Sequence, residues 1–483
     1  MFVETIIALL SGYILWFTLA RITSPEIIGT SAAAISIATI FSTIATIGIP
    51  SGVSRFLAKS FNEEGLDEAY ALVKDAFALV CLGILGSTLV LFVINEWFYV
   101  TFDRTLIFFT MLLLGASAIS RLLNSIVIAS LKTKIIPKVM LVVASTRTAL
   151  VVILVLLNIG TIGVLIGYVT FEILESILLG FAVLRMLSER TKRSTTDHNH
   201  SFKSILKASF PVWIPKLIIV VSGANLGTVI VFGSSGSIQA ASYSLSYAIS
   251  SAVFALVLPL FAIAYPAVVA MNDGRKRFTW RIIKISIIIS VPLSLSVIFY
   301  SDDVINLLGK HYAEASILLK LFLIAILPNS VSIMIGQLVY AYGNYKQVLY
   351  IGLASSIPTA ALYLLLVPVF GALGGAISYL TGSLISFTFS TIVAERIGLK
   401  IRWKDIGLIL IISFVPAITF SSLHLNYIIG IIFTVLISYI VFLKFNIINK
   451  SDVADTLDVL PPSIARPLKT LVHRVGGFLN DKY

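Results

Sequence analysis

The chain is built from long apolar runs separated by short polar connections. Runs of about 17–28 apolar residues are long enough to cross a bilayer as helices. Inside hydrocarbon every backbone N–H and C=O must be paired within the segment, which leaves the helix as the form such runs take. The runs place helices near 1–20, 28–50, 70–94, 105–129, 136–157 and 160–187. Six more lie near 206–232, 239–269, 282–300, 313–341, 346–369 and 371–394, with two further ones near 405–422 and 426–447. The expectation is an all-α polytopic membrane protein of about fourteen transmembrane helices. The first run lacks a basic stretch and a cleavage site, so it reads as an uncleaved helix.

One stretch interrupts the pattern. Residues 185–207, RMLSERTKRSTTDHNHSFKSILK, are polar and basic, with similar lengths of apolar chain on either side. The chain after this stretch echoes the chain before it at an offset of 211 residues. GTIGVLIGYVT (160–170) and GALGGAISYLT (371–381) share five of eleven positions, among them Gly160/Gly371, Gly163/Gly374 and Tyr168/Tyr379. The same offset pairs Ser24 with Ser235, Ile27 with Ile238 and Arg185 with Arg396. A single offset without gaps points to an internal duplication. The organisation expected is a six-helix lobe over 1–187, a basic loop over 188–205 and a second six-helix lobe over 206–394. Helices 13 and 14 follow over 395–447, then a tail over 448–483.

Composition agrees with a membrane chain. Of 483 residues 58% are hydrophobic and 12% charged, with mean hydropathy +1.01; soluble domains carry about 25% charged residues. The net charge of +12 would suit a nucleic acid, but its placement does not. With the N-terminus inside, alternate connections on the inner side hold 27 Lys and Arg and the outer ones hold three: Arg21, Arg104 and Lys310. This is the positive-inside bias of a cell-membrane protein with both termini cytoplasmic. No nucleic acid is expected as a partner. Residues 463–480 place apolar positions at helical spacing among Arg466, Lys469 and Arg474, as an in-plane helix on anionic lipid does. The single cysteine, Cys81, excludes an intrachain disulfide.

Enzyme signatures are missing: there is no phosphate loop, no HExxH and no metal-spaced Cys/His set. His198 and His200 fall in the basic loop and read as solvated. Asp302 and Asp303 read as a helix end rather than a catalytic pair, because their loop is short. The informative residues are charges inside spans: Arg121, Arg147, Glu172, Glu175, Lys216 and Lys320. A charge at bilayer depth costs about 2.5–3.5 kcal/mol, so it faces a partner or a wet cavity. None repeats at the 211 offset; the counterparts are Ser332, Pro358, Ser383, Ser386, Thr5 and Phe109. Scaffold is shared between the halves while charge is private to each. That asymmetry fits a substrate site, with Arg147 and Lys216 facing a cavity and Glu172 pairing with Arg147. Snorkelling of Lys320 and a purely structural Arg147–Glu172 pair are the alternatives. Pro211 and Pro215 beside Lys216, Pro259, Pro266 and Pro328 are expected to bend their helices.

Four stretches resemble one family. FTLARITSPEIIG (17–29), GIPSGVSRFLAK (48–59), GKHYAEASILLKLFLIA (309–325) and AYGNYKQVLYIGL with VPVFGALGGAIS (341–378) resemble segments of the O-antigen and polysaccharide flippases. These belong to the multidrug/oligosaccharidyl-lipid/polysaccharide exporter superfamily. The resemblance implies two six-helix lobes related by a pseudo-two-fold axis, as in MATE transporters, and alternating access. It implies a lipid-linked oligosaccharide as substrate, membrane lipids as surroundings and glycan-assembly enzymes as candidate partners. By motif, Arg21, Pro25, Gly29, Arg55 and Tyr312 carry over as family positions. Where many relatives carry Asp-Arg, this chain has Asn225-Leu226, which leaves open any Na+ or H+ coupling through that helix; Asn225 stays a cavity candidate. No cofactor is expected. A cation-coupled drug antiporter would favour acidic, aromatic walls, and a membrane polymerase or ligase would need larger outer loops.

Overall fold

A computed structural model describes residues 2–62, 66–97, 102–130, 133–188, 202–271, 273–445 and 447. The described residues form helices and connections with no strand. The tail helix expected over 463–480 and most of the basic loop lie outside them, as do His198 and His200.

In order, the helices begin with α1 (Phe2–Ile22), α2 (Pro25–Thr46), α3 (Ile49–Asn62), α4 (Leu66–Trp97), α5 (Arg104–Ala129), α6 (Ile135–Leu156) and α7 (Gly160–Ser188). After the loop come α8 (Phe202–Ser222), α9 (Ala224–Ala255), α10 (Leu258–Ala270), α11 (Arg275–Phe299) and the short α12 (Ser301–Asn306). A 3-10 turn at Lys310–Tyr312 leads to α13 (Ala315–Ile324), α14 (Ile326–Ala341), α15 (Tyr345–Arg396), α16 (Trp403–Ser422) and α17 (Tyr427–Lys444). Among the described residues ten helices are long and apolar enough to cross a membrane, or eleven if the bent pair Ile205–Val220 and Ala224–Ala255 is one span. The count of fourteen is not established. The protein is a multi-pass membrane protein.

The 211-residue offset reappears in where helices start and break. Ala315 opens α13 211 residues after Arg104 opens α5. Ser24 lies in extended backbone before Pro25, and its counterpart Ser235 precedes Gly236, where α9 breaks at φ 84°. Gly160 opens α7 at φ 63°, and Gly371 breaks α15 at φ 58°. Left-handed backbone costs an L-residue roughly 1–2 kcal/mol, so glycine recurs at both turns.

The prolines meet expectation in part. The helix α8 continues through Pro211 and Pro215, and the 45° bend falls beyond them, at the break before Ala224. The runs that carry Pro259 and Pro328 are interrupted just before them, between α9 and α10 and between α13 and α14, so each lies in the first turn of a new helix, where a missing N–H costs little. Pro266 lies inside α10, which continues through it.

Contacts divide the chain into two compact units. The first comprises Met1–Ala252, Ile305–Phe322 and Leu349–Ile385; the second comprises Val253–Val304, Leu323–Val348 and Ser386–Tyr483. In the first, α5 packs on α7, α2 and α3, and α6 joins α1 to α7. Ala33, Ala76, Leu114 and Leu165 lie in its core. Helix α8 packs on α3. Here Gly29 makes a backbone-to-backbone crossing possible: a Cβ on it would lie 1.8 Å from the carbonyl oxygen of Ser237 on α9. In the second unit α11 is central, packed by α10, α14, α16 and α17. Its buried Ser286 and Ser290 return their hydroxyls to carbonyls one turn back, at 2.7 and 2.8 Å. Small side chains of this kind let membrane helices approach closely.

Candidate functional site

The charged residues within spans of the first unit separate into an open group and a caged residue. Arg121, on α5, is exposed, and its Nη1 donates to Thr43 Oγ1 of α2 at 3.0 Å. Lys216, on α8, is also exposed, and its Nζ donates to Ser51 Oγ of α3 at 2.6 Å. The two cations lie within electrostatic reach of each other. Glu172, on α7, accepts a hydrogen bond from Ser120, the residue before Arg121, and feels the charge of Arg121. The indole of Trp213 donates from Nε1 to the carbonyl of Thr43 at 2.9 Å, and Ser125 donates to the carbonyl of Pro50. Five helices thus converge on the α2–α3 break, where Ile47 and Gly48 are left-handed, at φ 45° and 71°.

This arrangement can hold an anion. Two exposed cations rest on neutral hydroxyls, which are weaker partners than a phosphate or carboxylate would be. Among the described residues joined by these contacts, the carboxylate of Glu172 stands against the charges of Arg121 and Lys216, so this group is net cationic. Arg offers a planar fork for phosphate oxygens and Lys a point charge beside it.

Arg147 was expected in the same cavity and is not open to it. It is 7% exposed on α6. Its guanidinium lies 5.0 Å from the Tyr168 ring centroid and 4.7 Å from that of Phe171, both on α7. Nη2 donates to Ser11 Oγ of α1 at 3.1 Å, and Nε has no hydrogen-bond partner among the described residues. Glu172 is within its electrostatic reach but takes its hydrogen bond from Ser120, so the expected direct pairing is absent among the described residues. Glu175 is 5% exposed and accepts from Asn124 Nδ2 at 3.4 Å. The two acids therefore both face α5, through Ser120 and Asn124 one turn apart.

Of the other candidates, Asn225 is half-buried at the second position of α9, and Lys320 is half-buried on α13. The family positions fall at turns and crossings. Arg21 donates to the carbonyl of Leu307 and lies over the Phe17 ring. Pro25 is the buried first residue of α2, and Gly29 marks the crossing described above. Tyr312 is 1% exposed, and burial, with the Glu26 carboxylate, holds its hydroxyl above the ordinary tyrosine range. Arg55 lies on α3, and its side chain is outside what is described. Asp302 and Asp303 are exposed in the first turn of α12, where carboxylates complement the helix dipole.

Thr43, Ser51, Ser120, Asn124 and Trp213 were not singled out by sequence. Hydroxyls are common in these spans and most return to their own helix, so only Trp213, three residues before Lys216 on α8, carried a local signal.

A family model described as "Polysaccharide biosynthesis protein" matches residues 1–272, more than half of the chain. No curated protein matches in sequence. Among solved structures, the chain is similar to the lipid II flippase MurJ in an inward closed conformation. The TM-score is 0.67 at 14% identity, over 90% of this chain and 96% of that one. It is also similar to a multidrug resistance MATE family transporter of the MOP superfamily. The inward-facing form gives TM-score 0.62 at 13% identity, over 80% of this chain and 94% of that one. The outward-facing form gives 0.56 at 14%, over 82% and 93%. The fold is therefore MurJ- and MATE-like, and these structural relatives are transporters and flippases rather than enzymes.

Proposed function

This chain belongs to the polysaccharide biosynthesis protein family, and on that premise we propose that it carries a lipid-linked oligosaccharide outward across the cell membrane by alternating access. The carrier is a polyprenyl phosphate or diphosphate. Its anionic headgroup binds between Arg121 and Lys216 while the polyprenyl chain stays in lipid. The observation that carries this reading is the exposed cation pair resting on Thr43 and Ser51 within apolar helices. Exposed charge at that depth needs water or a counter-ion, and an anionic substrate supplies the latter. The two copies of the 211-residue repeat, 1–187 and 206–394, are the lobes that would move. A cationic drug fits less well, because two positive charges repel it.

The test is glycan export in cells carrying Arg121→Gln, Lys216→Gln and the double variant, with the amount of protein in the membrane measured alongside. Each single change should lower export about tenfold or more, since a charge-assisted contact contributes about 1.5–3 kcal/mol. The double variant should abolish it at normal protein level. Wild-type export by the double variant refutes the assignment.

A further inference from the structure

Trp213 lies one helical turn before Lys216 on α8 and shares its face. Its hydrogen bond goes to the carbonyl of Thr43, and Arg121 holds the hydroxyl of the same residue. One residue of α2 therefore fixes both the indole and the guanidinium. An indole has a single polar atom, so this bond sets the orientation of the whole ring. The side chain is half-buried, which leaves part of the ring open. Phe210, 51% exposed, lies a further turn back, with ring centroids 5.7 Å apart and planes tilted by 43°. Helix α8 thus presents two aromatic rings leading to a cation.

We propose that Trp213 is the sugar-recognition residue of the site, the platform on which the first sugar of the lipid-linked glycan stacks. The proposal rests on the flippase reading given above. The first sugar is joined through its anomeric oxygen to the phosphate, so a phosphate held by Arg121 and Lys216 brings that ring beside the indole. One face of a pyranose is a set of C–H bonds made slightly positive by neighbouring oxygens. Such a face packs on the negative face of an aromatic ring, and indole is the strongest of the three aromatic side chains in this respect. The consequence is discrimination. A bare polyprenyl diphosphate has the same phosphates and the same tail as the loaded lipid, so the cations cannot tell the two apart. The platform can, because only the loaded lipid has a ring to place on it.

The experiment uses the purified full chain in nanodiscs. Binding is read by displacement of a fluorescent polyprenyl diphosphate. The competitors are bare polyprenyl diphosphate and the same lipid carrying one hexose or one N-acetylhexosamine. Wild type should prefer the glycosylated lipids by about three- to tenfold. Trp213→Phe should keep most of that preference, and Trp213→Leu should lose it while still binding the bare lipid. Both variants lose the bond to Thr43, so their difference isolates the ring from the tether. A preference retained by Trp213→Leu, or lost equally in both variants, overturns the proposal. So does the absence of any preference in wild type, a measurement that needs no variant to fold. If wild type binds none of these lipids, the flippase reading itself fails and this inference with it. Binding without preference removes only the role of Trp213.

Discussion

Arg121 and Arg147 are alike in sequence: each is an arginine well inside an apolar run with no charged counterpart in the other half. Their surroundings make them different residues. Arg147 is wedged against Tyr168 and Phe171 and tied to Ser11, so it joins α6, α7 and α1. Removing it leaves an unfilled space and takes away a desolvated cation–π contact. Arg147→Ala should cost about 2–4 kcal/mol of stability. In detergent this reads as a lower melting temperature and less protein in the membrane. Arg121→Gln, which removes an exposed group held by one hydroxyl, should leave the melting temperature near wild type. An unchanged melting temperature in Arg147→Ala together with lost export would return Arg147 to the substrate site. The sequence showed that these charges needed partners. It could not show which one opened outward, because the deciding contacts come from Ser11 and from ring stacking across helices. The pairing of Glu172 was misread for a related reason: Ser120, a neutral neighbour of Arg121, takes the carboxylate that charge alone would have given to Arg147.

At the level of elements, the 211-residue offset showed in the sequence as glycines that stand at matched turns while the side chains around them differ. Gly160 and Gly371 share a positive φ, 63° and 58°. Their neighbours differ. A Cβ on Gly160 would find only Ile27 Cδ1 at 3.8 Å, whereas a Cβ on Gly371 would lie 1.8 Å from Oε1 of Gln239. That oxygen accepts the backbone N–H of Ala372 at 2.8 Å, capping the helix after the break. Gly160→Ala should therefore cost only the left-handed strain, about 1 kcal/mol. Gly371→Ala should cost roughly 1 kcal/mol more, for the displaced hydrogen bond. Thermal denaturation of the two variants checks the order. Adding Gln239→Ala should cost less in the Gly371→Ala background than in wild type, as expected when two changes share one interaction. Equal melting temperatures for the two glycine variants would mean that Gln239 does not support the turn. The other breaks were hidden. The prolines of α8 were read as the bend, but the bend falls where α8 meets α9. Between α2 and α3 the chain has Gly48 and Pro50, and the run was read as ending at 50, but α3 itself, Ile49–Asn62, was not read as a helix.

For the whole molecule, the expected orientation rests on 27 basic residues in one set of alternate connections against three in the other, counted over fourteen spans. The bias is informative because it depends on the number of crossings. One span too many or too few between two connections would put every later basic segment on the opposite face, and the bias would be weakened or reversed. The fold-class reading came through because long apolar runs leave the backbone no alternative to helix. The number of crossings is not established: helix length and apolarity mark ten or eleven spans among the described residues, where the runs suggested fourteen. Labelling can settle what length cannot. Cys81 is the chain's one thiol and is exposed, so it is first replaced by serine. Single cysteines are then placed at His198, in the basic loop, and at Leu425, between α16 and α17. With both termini cytoplasmic, Leu425→Cys should react with a membrane-impermeant maleimide in intact cells. His198→Cys should react only after permeabilisation. The opposite result would reverse the orientation and place the positive majority outside, against the bias that motivated it. Reaction of both sites in intact cells would require an even number of crossings between them, where the fourteen-helix reading has seven.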